Sequence, residues 1–357
     1  MCGIAGVFDY GYRARPEVTP ELMVRMSDAM VHRGPDDAGY HISRSGLCGL
    51  SFRRLAIIDL SPAGHQPMST PDGRYTLVFN GEIYNHRTIR AELEAKGYQY
   101  RSHSDTETIL YAYQEWGEAC LKKFYGMFAI AIWDEEKQEL FCARDRIGIK
   151  PLYYANPDGR FIWGSEIKVL LQHPAITAKL NAQALPHYLS IMMPPAPTTM
   201  FEGVQKLEAG HTLRITRDGT FTKRPWWSLL DAGEPLDRIT EAEAIEEIRR
   251  LLRQSIKDRM MSDVPFGVFL SGGIDSSLNV ALMSELMDRP VQTFSVGFKE
   301  LEKYNEMKYA RGIAERYKTA HHEVLIDAHD AERVISDLAF HEDEPNGDPV
   351  CIPLYLS

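Results

Sequence analysis

The chain opens on an apolar run, residues 4–8, that stops at Asp9 and predicts a short strand. Thr19-Pro20-Glu21 then reads as a helix start, with Thr as N-cap and Pro at the first helical position. Leu22, Met23, Met26 and Met30 follow at helical spacing and give that helix one apolar face. Strand-like runs come at 47–52, 55–60 and 75–79, and helical patterns at 86–96 and 106–116. Residues 127–133 and 140–143 bracket an acidic turn, Asp134-Glu135-Glu136, and predict a hairpin. Several strands with two or three helices predict sheets whose outer faces carry helices.

Two stretches break this rhythm: MMPPAPTTM at 192–200 and RPWWSLLDAGEPLD at 224–237. Beyond them helix and strand alternate: helix 241–261, strand 264–270, helix 277–287, strand 291–298, helix 305–317, strand 321–326, helix 330–341. Such alternation predicts a parallel, doubly wound α/β sheet. The expected organisation is a first domain over 2–215, a linker over 216–239 and a second domain over 240–357.

Composition narrows the partners. The chain has 357 residues, 44% of them hydrophobic and 25% charged, which suits two ordinary cores. The net charge is −10 and no basic stripe is present, so nucleic acid is not an expected partner. No apolar run approaches the ~18 residues of a membrane helix, and the N-terminus lacks the pattern of a signal peptide. The five cysteines, Cys2, Cys48, Cys120, Cys142 and Cys351, are odd in number, scattered and without CxxC. That pattern argues against a disulfide framework or a zinc site and predicts the reducing cytoplasm.

Cys2 is the first candidate for chemistry. Loss of Met1 would leave one residue carrying both a thiol and an α-amine, and an α-amine titrates near pH ~8, so part of it is neutral and can take the thiol proton. Taken alone, a buried structural cysteine is the plainer reading. Its company changes that. MCGIAG, HRGPDD (32–37), RRLAIIDL (53–60), FNGEIYN (79–85), SHSDTE (102–107), ARDRIGIKPLYY (143–154) and SEIK (165–168) together resemble the class II glutamine amidotransferases over essentially all of residues 2–200.

The resemblance implies an N-terminal-nucleophile αββα sandwich that hydrolyses glutamine. Cys2 would be the nucleophile, and the Asn80 side chain and Gly81 N–H the donors to the oxyanion. Arg54, with the backbone of Leu55, Ala56, Ile57 and Ile58, would hold the α-carboxylate. Asp105, with Glu82 as a second acidic contact, would hold the α-ammonium. The loop His32-Arg33-Gly34-Pro35 would border the pocket in a structural role, and Cys48, Cys120 and Cys142 would be core residues.

The second candidate is VPFGVFLSGGIDSS, an apolar strand running into a glycine–serine loop and a helix. Such a loop suits anions. It lacks GxxxxGK[ST] and is not a Walker A loop; a bare SGG would be a capped turn. The full SGGIDSS resembles the pyrophosphate loop of N-type ATP pyrophosphatases. It implies ATP held by Leu270, Ser271, Gly272, Gly273, Asp275, Ser276, Ser277 and Val296, with Mg²⁺-pyrophosphate at Asp275. The order of the two halves, with TFSVGF, HHEV and HEDEPNGDP, resembles glutamine-hydrolysing asparagine synthetases. That implies ammonia freed by Cys2 attacking an aspartyl-adenylate, and, as a family expectation only, a homodimer.

The second half offers three strands, and the second glycine- and acid-rich loop of that family does not follow within the chain. A fragment of a longer protein is therefore expected, with weak or absent asparagine formation. Other acceptors (a sugar acid, a cell-wall carboxylate, a peptide) and a non-catalytic glutamine-binding protein are the competing readings. A phosphoribosyl-transferring enzyme is disfavoured by the SGGIDSS loop.

Overall fold

The computed structural model describes residues 1–11, 18–231, 233, 239–300, 303 and 305–356. The chain divides into two compact units, Met1–Glu234 and Pro235–Ser357.

In the first unit β1 (Gly3–Asp9) leads to α1 (Pro20–Asp28), β2 (Asp37–Ile42) and β3 (Cys48–Arg54). Then come β4 (Met68–Ser69), β5 (Tyr75–Ile83), α2 (His86–Ala95), α3 (Asp105–Trp116), α4 (Cys120–Lys123), β6 (Gly126–Asp134) and β7 (Glu139–Arg144). β8 (Tyr153–Ala155), β9 (Arg160–Gly164), α5 (Ile167–Leu170), α6 (Leu185–Ile191), β10 (Gln205–Lys206), β11 (His211–Ile215) and β12 (Phe221–Pro225) complete it. The strands form two antiparallel six-stranded sheets, ordered β10-β8-β9-β1-β3-β2 and β12-β11-β7-β6-β5-β4.

Period-two alternation sets the layers. From β1, Ile4 and Phe8 join Leu50, Phe52, Val78 and Trp133 in the core between the sheets. Ala5 and Val7, pointing the other way, pack with Met23, Met26 and Met30 and with Ile167 of α5. β6 does the same on its sheet: Ala129, Ala131 and Trp133 face the sandwich, while Phe128, Ile130 and Ile132 face the layer containing Ile109 and Leu110 of α3. Helix, sheet, sheet and helix therefore stack as αββα. β1 is buried along its whole length, so Cys2, one residue before it, is fixed at the end of a central strand.

The expected elements form with boundaries moved by a few residues. Thr19 caps α1, its hydroxyl accepting the Leu22 N–H, with Pro20 at the helix start. The hairpin around Asp134 pairs Ile130 with Ala143 and Asp134 with Glu139. The strand expected at 55–60 does not form. Leu55–Leu60 is a loop, Asp59 has φ 55°, and the side chains of Leu55, Ile57 and Ile58 line a cavity rather than joining a sheet. β2, with its alternating half-exposed pattern, and the short β8 and β9 were not legible.

The linker expected over 216–239 begins too early. β12 pairs with β11 through Ile215↔Phe221 and Thr212↔Arg224. Trp226 then stacks on Phe128 at 6.0 Å and donates Nε1–H to the Arg144 carbonyl at 3.0 Å. A proline- and tryptophan-rich composition read as a break is here an edge strand and its anchor. Residues 232 and 234–238 of the expected linker lie outside the described residues.

The second unit starts with α7 (Glu241–Arg259), closed by a Thr240/Glu243 capping box. β13 (Gly267–Phe269), α8 (Ile274–Leu286), β14 (Gln292–Phe298), α9 (Met307–Tyr317), β15 (Ala320–Ile326), α10 (Ala328–Glu342) and α11 (Cys351–Leu356) follow. The sheet is parallel, in the order β13-β14-β15. Leu270, Val280, Ala310 and Ala314 join strand end and helices in a small core.

Candidate active site

Cys2, at the end of β1, faces the loop that follows β3. The Leu55 N–H donates to Sγ at 3.4 Å, and the thiol lies 3.5 Å from the Leu55 carbonyl. These contacts explain why the loop forgoes strand pairing at Leu55. Burial pushes the thiol above its ordinary value, so it needs a base to become nucleophilic. Arg33 holds the same residue from behind, its Nε–H donating to the Cys2 carbonyl at 3.0 Å.

β5 brings the donors. Asn80 pairs with Ala129 of β6 and is 1% exposed, yet its Nδ2 has no hydrogen-bond partner among the described residues. A buried amide left unpaired costs roughly 1–3 kcal/mol unless something accepts from it. Gly81 has φ 155°, and a Cβ there would lie 2.1 Å from the Met127 carbonyl oxygen, so only glycine fits.

Opposite charges line the same cavity. Arg54, the last residue of β3, is buried, its Nη1 donating to the Ser61 carbonyl at 2.9 Å and its Nη2 to the Asp59 carbonyl. Gly64 leaves room for this guanidinium: a Cβ there would sit 2.1 Å from Nη2. Asp105 is the first residue of α3, behind the N-cap Ser104. Its Oδ2 accepts the Ile83 N–H at 2.9 Å. Burial, aided by Glu82, pushes the Asp105 carboxyl up to about 7 against the pull of the Ile83 N–H. Burial also raises Glu82, with Lys150 opposing.

Cys2, Arg54, Leu55, Ile57, Ile58, Asn80, Gly81, Glu82 and Asp105 thus line one cavity. Ala56 does not; its N–H donates to Asp36 Oδ2 at 2.8 Å. Sequence reasoning missed Gln66, Ser104, Thr106 and Lys150, which line the same space. Lys150 lies inside a quoted motif, and its basic character was the available signal. Gln66 ties Thr106 to the Phe79 N–H, a link across elements with no local signature. A thiol, an unpaired donor and a cation and anion set apart in one cavity suit acyl transfer from a small zwitterion with a side-chain carbonyl.

In the second unit the loop after β13 turns at Gly272, φ 83°, and enters α8. Ser271 Oγ accepts the Gly273 N–H at 3.2 Å and lies 3.0 Å from Ser276 Oγ. The Ser277 hydroxyl is buried without a hydrogen-bond partner among the described residues. A Cβ at Gly272 would meet the Tyr309 Cβ at 2.5 Å and the Ala310 nitrogen at 2.6 Å. Gly272→Ala is therefore expected to destabilise this unit by more than about 1–2 kcal/mol, read as an earlier thermal transition. Leu270, Ser271 and Val296 line a cavity of about 430 Å³ walled by Phe269, Phe294, Pro349 and Val350, whereas Gly272, Gly273, Asp275, Ser276 and Ser277 lie beside it. Apolar walls next to a glycine–serine loop suit a nucleotide, base in the cavity and phosphates on the loop. Asp275 is exposed, and no cluster of three or more metal-ligating side chains occurs among the described residues. A magnesium ion here would come with the phosphates rather than sit in a protein cage.

Comparison with known proteins follows this division. A glutamine amidotransferase domain model matches residues 1–227, and an asparagine synthase model matches residues 247–357. Asparagine synthetase [glutamine-hydrolyzing] 1 of Bacillus subtilis is 37% identical over 356 residues, all of this chain and 55% of that protein. A Methanocaldococcus jannaschii protein assigned as asparagine synthetase [glutamine-hydrolyzing] 2 is 37% identical over 99% of this chain and 70% of its own length. The chain belongs to the glutamine-hydrolysing asparagine synthetase family. Within that family it spans little more than half the length of the Bacillus relative. Amidase chry2 of Gibberella zeae is also similar, 31% identical over 97% of this chain and 54% of its own.

Proposed function

We propose that the first unit hydrolyses glutamine and that the second activates a carboxylate with ATP, the ammonia passing to aspartate to give asparagine. The observation that carries this is the single cavity joining the Cys2 thiol, the unpaired Asn80 amide and the opposed charges of Arg54 and Asp105. The groups of glutamine match it: α-carboxylate to Arg54, α-ammonium to Asp105, side-chain amide to Cys2.

The chemistry balances on these groups. With Met1 removed, the α-amine of Cys2 takes the thiol proton, and the thiolate attacks the amide carbon. The tetrahedral oxyanion takes hydrogen bonds from Asn80 Nδ2 and the Gly81 N–H. The C–N bond breaks, the nitrogen leaves as ammonia with the borrowed proton, and water hydrolyses the thioester to glutamate. Asn80→Ala should lower kcat about 10²-fold with little change in KM, because its hydrogen bond forms only as charge develops. Steady-state glutaminase kinetics checks this.

ATP bound in the second unit would supply the leaving group that makes a carboxylate open to ammonia. Ser271, Ser276, Ser277 and the loop N–H groups would hold its phosphates, with Leu270 and Val296 against the base and Asp275 near the phosphate-borne Mg²⁺. A similar protein not named an asparagine synthetase, Amidase chry2, motivates a second reading with the same two half-reactions and another carboxylate as acceptor. The test is glutamine, ATP and a panel of carboxylates, aspartate among them, with glutamate, AMP and amide product quantified. Amide on aspartate supports the first reading and amide on another acid the second, whereas glutamate without AMP or amide leaves the glutaminase half alone active in this chain. Glutamine left intact refutes both.

A further inference from the structure

Lys150 is a buried lysine that the chemistry above does not use. It is 5% exposed and lines the cavity beside Cys2 and Glu82. Its backbone is held on both sides: its N–H donates to Asp145 Oδ2 at 2.9 Å, and its carbonyl accepts Arg144 Nε–H at 2.7 Å. Its ammonium lies 3.3 Å from the Met1 sulfur, so it stands beside the residue whose removal creates the new α-amine. Burying an ammonium is costly, and a lysine with only a packing role is easily replaced by an apolar side chain.

We propose that the buried ammonium of Lys150 keeps the α-amine of Cys2 neutral, and so able to take the thiol proton, once Met1 is gone. The proposal rests on the glutaminase reading. Two positive charges in one cavity disfavour each other, so the terminal amine sheds its proton more readily beside Lys150. The other charged groups facing this corner are Arg33, Glu82 and Asp105. Arg33 is the second cation; its Nη1 is 2.9 Å from Glu166 Oε1, a carboxylate that Lys168 and His32 share. Glu82 and Asp105 line the same cavity with charge opposite to that of Lys150. With Met1 in place the terminal amine is already lowered, first by burial and then by Arg33 and Lys150, against Cys2 and Glu82. Lys150 is thus a positioning residue, acting through the amine rather than on substrate.

The test is the pH profile of kcat for glutamine hydrolysis at saturating glutamine by the full chain, Met1 removal verified by mass, with Lys150→Met and Lys150→Arg alongside. Lys150→Met should move the acid limb about one pH unit upward while the alkaline plateau stays near wild type. Lys150→Arg should restore the wild-type limb. A Lys150→Met enzyme with a lower plateau and an unmoved limb overturns the proposal, since a packing role gives that result. So does an unchanged profile. Where Lys150→Met does not fold, competitive acylation of the wild-type α-amine against pH reads its titration directly. A midpoint at or above the ordinary ~8 then overturns the proposal. Wild-type chain that lacks Met1 and leaves glutamine intact refutes the glutaminase reading instead, so the two failures are distinguishable.

Discussion

Cys2→Ala is expected to lower glutamine hydrolysis at least about 10³-fold while leaving the thermal transition of the first unit close to wild type. The thiol makes two weak contacts with one backbone residue, and its loss removes little packing. No other cysteine can take over. Cys48, Cys120 and Cys142 are buried in apolar surroundings that push their thiols up, and Cys351 belongs to the second unit. Cys2→Ser separates chemistry from shape: it keeps the volume and the α-amine but replaces the thiolate by a poorer nucleophile, so it too should be nearly inactive. Glutamate release on the three proteins, with thermal melts as the folding control, checks the prediction.

Asp105→Asn should do two opposite things. The buried carboxylate has its protonation midpoint at about 7, against 3.8 for the ordinary group. The native state therefore holds this proton more tightly than the unfolded chain. Its contribution to stability is fully present below about pH 4 and is lost as pH rises through about 7. Keeping the carboxylate ionised at pH 8 costs the fold on the order of 4 kcal/mol, and asparagine removes that cost while still accepting the Ile83 N–H. The variant should melt higher at pH 8, with the gain shrinking toward pH 5. Its kcat/KM for glutamine should fall about 10³-fold, mainly through KM, because the α-ammonium of the substrate then meets no anion. The same reasoning makes wild-type KM rise as pH falls below about 7. On the proposed function, stability is given up for recognition. An unchanged KM in Asp105→Asn would place the ammonium elsewhere.

Much of the fold was written in local pattern. β1, α1 with its Thr19 cap, α3 and the hairpin around Asp134 follow from alternation, capping and turn residues. These signals act over a few neighbours and survive any tertiary context. The loop after β3 shows the opposite case. Its apolar residues, Leu55, Ile57 and Ile58, read as a strand, but the peptide of Leu55 serves Cys2 and the side chains serve a cavity. A functional site overrides local preference there. The edge strand β12 was hidden for a related reason: its pairing partner and the Phe128 surface under Trp226 lie distant in sequence. The motifs that single out Cys2, Asn80, Arg54 and Asp105 do come together around one cavity; they were legible because each motif names its residue. Lys150, Gln66 and Glu166 were not, because their work is defined only by what folds next to them.

The most direct measurement of the central claim is intact mass on the chain, acid-quenched during glutamine turnover. The account predicts a protein lacking Met1 and carrying one γ-glutamyl group, mapped to Cys2. A turning-over enzyme that retains Met1, or whose γ-glutamyl group sits on another residue, would contradict it.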